Sequence, residues 1–184
     1  MSDGMFRTVS RLRTGYDPDE VDEFFEHARQ LYEQGPAGAL SAKDVRRVGF
    51  EMVRGGYATA AVDAALDRLE SAFVARARAE YVAQHGQQAW MAQLGEQART
   101  LYGRLGRPDG DRFAPPEGRE QGYEPADVDE MCHRLVAYFD RGVPLTSGEV
   151  RSATFRRRKG RDAYGEPAVD AFMARAVEVL LGVE

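Results

Sequence analysis

The feature that most restricts the fold is an eleven-residue pattern that occurs four times. It reads GYDPDEVDEFF at 15–25, GYATAAVDAAL at 56–66, GYEPADVDEMC at 122–132 and AYGEPAVDAFM at 163–173. The shared positions are Gly15, Tyr16, Val21 and Asp22, then Gly56, Tyr57, Val62 and Asp63. They return as Gly122, Tyr123, Val128 and Asp129, and as Tyr164, Val169 and Asp170. Tyr16 and Tyr57 are 41 residues apart, as are Tyr123 and Tyr164, and a longer period of 107 relates the two pairs. Self-similarity at fixed spacing is the mark of a chain built from structural modules, none of which buries its own apolar face. The halves are 5–73 and 112–182. A helix over 74–105 and a Pro/Gly-rich linker over 106–121 lie between them.

The second and fourth copies share a longer lead. GALSAKDVRRVGF (38–50) aligns with VPLTSGEVRSATF (143–155), matching Leu40 to Leu145, Ser41 to Thr146, Asp44 to Glu149 and Phe50 to Phe155. The first and third copies keep only Phe6 and Phe113, ten residues before the tyrosine. Ser41-x-x-Asp44 and Thr146-x-x-Glu149 are capping boxes, whose hydroxyl accepts from a free amide of the first turn. Short helices are predicted to start there and run to about 53 and 157, burying Val45, Val48 and Phe50. A Gly-Tyr turn follows, with glycine permitting positive φ at the reversal. A longer helix comes next. Asp17 caps the first of these, Pro18 takes the first helical position, and Glu20 faces the positive helix end. Apolar residues then recur at helical spacing, as in Val21, Phe24, Ala28 and Leu31, or Val128, Met131 and Leu135. No comparable strand-like alternation appears. The fold class expected is all-α: tandem short-helix/turn/long-helix repeats in two pseudo-equivalent halves. A helix from Thr59 to Leu105 joins them, bent or broken at Gly86 or Gly95. Trp90, Met91 and Leu94 on that helix are core if it packs on a half, and a dimerising seam if it stands alone.

Catalytic signals are weak. Asp22, Asp63, Asp129 and Asp170 fall in first helical turns, where the dipole favours an anion, and an arginine such as Arg46 or Arg151 is a natural partner. His27, His85 and His133 have no metal-ligand spacing, and no glycine-rich phosphate loop is present. No enzymatic activity, metal or cofactor is expected. A net charge of −5 gives no global pull toward nucleic acid. The one basic run, RRRKGR, comprises Arg156, Arg157, Arg158, Lys159, Gly160 and Arg161. It reads as a solvated loop between two helices, as a contact with acidic lipid headgroups, or, least favoured, as a nucleic-acid contact. No early apolar segment of signal-peptide type and no stretch approaching the roughly 18 apolar residues of a membrane span is present. With one cysteine, Cys132, a cytoplasmic protein is expected.

The ordered set Leu-Ser/Thr-x-x-Asp/Glu-Val, then Phe, then Gly-Tyr-x4-Val-Asp resembles the N-terminal domain of the DivIVA family of bacterial division and polar-growth proteins. LSAKDVRRVGFEMVRGGYATAAVDAALDRL (40–69) is the closest stretch. The arrangement is similar to actinobacterial proteins with several copies of that domain. The resemblance implies a cytoplasmic, non-catalytic scaffold that recruits division or envelope proteins, associates as a homodimer and sits at the inner face of the membrane. It implies a membrane contact made by an exposed apolar residue beside a basic one just before Gly-Tyr. Leu12-Arg13 and Met52-Val53-Arg54 keep that pair. With Arg156–Arg158, Lys159 and Arg161 they are the candidate anionic-surface residues.

Overall fold

A computed structural model describes residues 4–35, 39–118 and 120–184. Gly38 of the aligned lead and Arg119 in the third Gly-Tyr turn lie outside the described residues. The chain is predominantly helical and divides into two units, 1–84 and 85–184.

In unit 1, strand β1 (Thr14–Tyr16) leads into helix α1 (Pro18–Gln34). Asp17 caps α1, its carboxylate accepting from the amides of Asp19 and Glu20. Helix α2 (Ala42–Arg47) starts at the Ser41/Asp44 capping box. Strand β2 (Met52–Arg54) and helix α3 (Thr59–His85) follow. β1 and β2 pair antiparallel, Thr14 opposite Arg54 and Tyr16 opposite Met52. The core is Val21, Tyr57 and Val62, with Phe6, Tyr16, Phe25, Phe50 and Leu66 packed around them.

Unit 2 holds helix α4 (Gln87–Leu105), strand β3 (Gln121–Tyr123), helix α5 (Pro125–Arg141), helix α6 (Ser147–Arg151), strand β4 (Arg157–Lys159) and helix α7 (Glu166–Val183). β3 and β4 pair antiparallel, Gln121 opposite Lys159 and Tyr123 opposite Arg157. α6 starts at the Thr146/Glu149 capping box. α7 is the centre of the unit, with nine buried residues including Val169, Phe172, Ala176 and Leu180. α4 lies on it: the Trp90 indole donates to the Gly182 carbonyl at 3.0 Å. A Cβ at 182 would lie 2.4 Å from a Leu94 methyl, so a larger residue there would require that side chain to move. Trp90 and Leu94 are buried, and Met91 is exposed.

Several expectations change. Two small two-stranded sheets accompany the helices. The short helices stop at Arg47 and Arg151, and the residues after them run extended into β2 and β4. Val48 and Phe50 are consequently only half-buried. The Thr59–Leu105 stretch is broken at one of the two glycines where a bend or break was expected. Gly86 has φ +86°, which ends α3 and begins α4, whereas Gly95 is accommodated within α4. The division falls between 84 and 85, and α4 belongs to unit 2. Residues 106–121 likewise lie in unit 2 and contribute buried side chains, Arg112 and Phe113. Gly15, Gly56 and Gly122 do not have positive φ. A Cβ there would lie 2.1 Å from the Tyr57 carbonyl oxygen, 2.4 Å from that of Tyr16 and 2.2 Å from that of Tyr164. These glycines permit backbone contact, and the tight turn falls on Gly55, at φ +72°.

Candidate functional site

The tyrosines and aspartates of the four segments meet in pairs. In unit 1 the Tyr16 hydroxyl donates to Asp63 at 3.1 Å, and the Tyr57 hydroxyl lies 2.9 and 3.0 Å from the Asp22 oxygens. In unit 2 the Tyr164 hydroxyl lies 3.1 Å from both Asp129 oxygens, and Tyr123 is hydrogen-bonded to Asp170. Each tyrosine thus reaches the aspartate of the other segment in its unit. Of the arginines expected as partners, Arg46 pairs with the buried carboxylate of Glu70, its Nε donating at 2.9 Å. Burial first, then the facing carboxylate, raises the pKa of Tyr16, Tyr57 and Tyr123. Tyr164 is pushed up to about 12.

Around Asp129 the cluster is more elaborate. Arg112, 4% exposed, donates to Asp129 at 2.7 Å and to Asp109 at 2.5 Å. Gly110 N–H donates to Asp129 at 2.9 Å, and Arg112 N–H donates to the Tyr164 hydroxyl at 3.1 Å. Burial opposes the Arg112 charge, but hydrogen bonds to Asp129 and Asp109 outweigh it and raise its pKa. Buried Cys132 lies in the same field, its thiol pushed up to about 12 by burial. At neutral pH both the thiol and the phenol are protonated, which makes them donors and packing groups rather than nucleophiles. His27, His85 and His133 are all exposed. Among the described residues no three His, Cys, Asp or Glu side chains gather as a metal-binding group.

The candidate surface residues separate into two places. In unit 1 they meet at the tip of the β1–β2 ribbon. A turn closed by Arg13 N–H to the Ser10 carbonyl (2.8 Å) lies against Gly55, whose own N–H donates to the Arg13 carbonyl at 2.8 Å. This turn presents Leu12, 93% exposed, between Arg11 and Arg13, with Arg54 opposite Thr14. Arg11, Arg13 and Arg54 have no ion-pair partner among the described residues. Arg11 was missed in the sequence, although it stands in RLRTGY on the other side of Leu12. Met52, also exposed, lies at the far end of the ribbon.

In unit 2 the basic run is the strand β4 and its flanks, not a loop, and its first three arginines are occupied. Arg156 grips Asp127 with Nε and Nη2 at 2.9 and 2.7 Å. Arg157 pairs with Glu166 at 3.1 Å, and Arg158 with Glu124 at 2.9 Å. Lys159 and Arg161 are exposed without an ion-pair partner among the described residues. The Arg156 bonds hold the Asp127 pKa below the usual carboxylate range.

No family model, curated protein or solved structure matches the chain. No helix among the described residues is long and apolar enough to cross a membrane.

Proposed function

We propose that the chain is a non-catalytic interaction protein of the DivIVA-domain kind, acting in bacterial division, polar growth or envelope organisation at the inner face of the membrane. In this reading the four Tyr-to-Val-Asp segments are packing units, two to each half, and repetition supplies within one chain the partner that each segment needs. The exchanged tyrosine–aspartate bonds support that arrangement. The working surface is the unit 1 tip, and the observation that carries it is the 93% exposure of Leu12 between two arginines without ion-pair partners among the described residues. Each basic residue near an anionic surface contributes about 1 kcal/mol, and an inserted leucine adds about 1.5–3 kcal/mol. Together these suffice for reversible surface binding, and they make it dependent on salt.

Sedimentation of the full chain with vesicles tests this. Vesicles of phosphatidylglycerol mixed with phosphatidylcholine are expected to pellet the protein at low salt, and phosphatidylcholine alone is not. Leu12→Glu is expected to abolish pelleting, while Arg157→Glu in the neutralised run leaves it intact. A wild-type chain that stays in the supernatant at every anionic fraction sinks the surface reading. Recovery from the native host without any division or envelope protein enriched sinks the cellular assignment.

A further inference from the structure

Unit 1 has a second surface, at the other end of the ribbon from the tip. It is an open groove of about 680 Å³ between α1 and the 48–50 segment. Its floor is Phe24, Val48 and Phe50, with the two rings 5.8 Å apart. Its rim is Glu20, Glu23 and Glu26. Among the described residues none of the three makes an ion pair. Glu20 accepts from the Glu51 amide at 2.8 Å, and Glu26 accepts from the Gln30 amide group at 3.3 Å. The groove, also lined by His27 and Gln30, is therefore apolar at its base and has an acidic edge that makes no ion pair among the described residues. It calls for an occupant with an apolar knob set among cations.

Unit 1 itself displays such a knob. We propose that the groove receives the Arg11-Leu12-Arg13 tip of a second copy of this chain. The charges match in number, since Arg11, Arg13 and Arg54 surround Leu12 and three glutamates surround the aromatic floor. A chain cannot fill its own groove, because the hydrogen-bonded ribbon separates the two. Thr14 pairs with Arg54 at the tip end, and Tyr16 pairs with Met52 at the groove end. Tip and groove are different surfaces, so the contact is head-to-tail and leaves a free tip and a free groove on each pair to extend the assembly. The corresponding face of unit 2 carries arginines beside its carboxylates. There Arg156 neutralises Asp127 and Arg134 pairs with Glu149 at 2.5 Å. This inference goes beyond the membrane reading, with which it shares the tip but not the groove.

Sedimentation equilibrium of the full chain without lipid, over a concentration series, tests it. The expected mass rises above 20.5 kDa with concentration and falls back as salt is added. The pair Glu23→Arg/Glu26→Arg and the pair Arg11→Glu/Arg13→Glu are each expected to weaken association about tenfold or more. An equimolar mixture of the two variants restores it, because each reversed surface then faces its complement. Circular dichroism establishes that both are folded. The groove variant keeps vesicle pelleting, so loss of self-association and loss of membrane contact are read separately. The proposal is overturned if the wild type stays at 20.5 kDa throughout. It is also overturned if either variant alone associates as the wild type does, or if the folded variants fail to associate when mixed.

Discussion

The two units carry the same ribbon and the same tyrosine–aspartate exchange, yet they place their charges differently. In unit 1 the backbone N–H of Glu51 donates to Glu20, and in unit 2 the backbone N–H of Arg156 donates to Asp127 at 2.9 Å. The main-chain bond is shared. The side chain that follows is a glutamate in one and an arginine in the other, and the arginine turns back to neutralise the carboxylate it already touches. Unit 1 is left with a basic tip and an acidic groove, and unit 2 pairs Arg156, Arg157 and Arg158 with its own carboxylates. The interior reverses that order. In unit 1 the backbone of Met5, 51% exposed, is hydrogen-bonded to Tyr57, which holds Asp22, whereas at the matching position unit 2 buries Arg112 against Asp129. Unit 2 thus buries a charged pair at a position where unit 1 exposes a methionine. Similar frames can thus be tuned for packing or for contact by changing residues the frame does not need.

The largest effect that could break this comparison comes from Arg112→Ala. It leaves Asp129 buried with only Tyr164 and Gly110 as partners, which costs about 3–5 kcal/mol. Met5→Ala at the matching position should stay within about 0.5 kcal/mol. The single tryptophan, Trp90, lies in unit 2, so urea unfolding followed by its fluorescence reads the first change. Equal effects at the two positions contradict the assignment of the buried Arg112–Asp129 pair to unit 2.

Next in size is the response to alkali. Folding raises the Tyr164 pKa above its ordinary value of 10.0, to about 12. A group raised in the folded state stabilises fully below its unfolded pKa and loses that contribution as pH climbs to the folded one. Stability of unit 2 should therefore fall between about pH 10 and 12, by on the order of 2 kcal/mol from this residue. Tyr164→Phe should flatten that fall. A wild-type profile flat to pH 12 argues against the buried phenol.

The smallest effect should be the most evenly shared. Ser41→Ala and Thr146→Ala each remove one capping box and should each cost about 1 kcal/mol, measured by thermal unfolding. A difference of more than about 0.5 kcal/mol between them would sharpen the comparison, since Glu149 is also held by Arg134 and Asp44 has no such anchor.

What was legible in the sequence was local. The capping boxes, the Asp17 cap and the apolar faces of α1, α5 and α7 follow from residues three or four apart. The ribbons were not legible, because three-residue strands hold no alternation to detect and Gly15 meets Tyr57 across 42 positions. The aspartates drew a reading from their place in the helix, but their partners come from tyrosines 35 and 47 residues away. Arg112 was hidden by a stretch whose prolines and glycines suggest a linker. Leu12, Arg13 and Arg54 were named as surface candidates. That Arg156–Arg158 are neutralised depends on which carboxylates the fold brings beside β4, and no spacing in the chain reveals it.

A double-mutant cycle on unit 1 tests the pairing between segments most directly. Tyr57→Phe and Asp22→Asn, singly and together, are expected to show a coupling of about 1 kcal/mol, although they belong to different segments. Tyr57→Phe and Asp63→Asn, from the same segment, are expected to be additive. Coupling within the segment, and none between Tyr57 and Asp22, would mean that the modules do not complete one another.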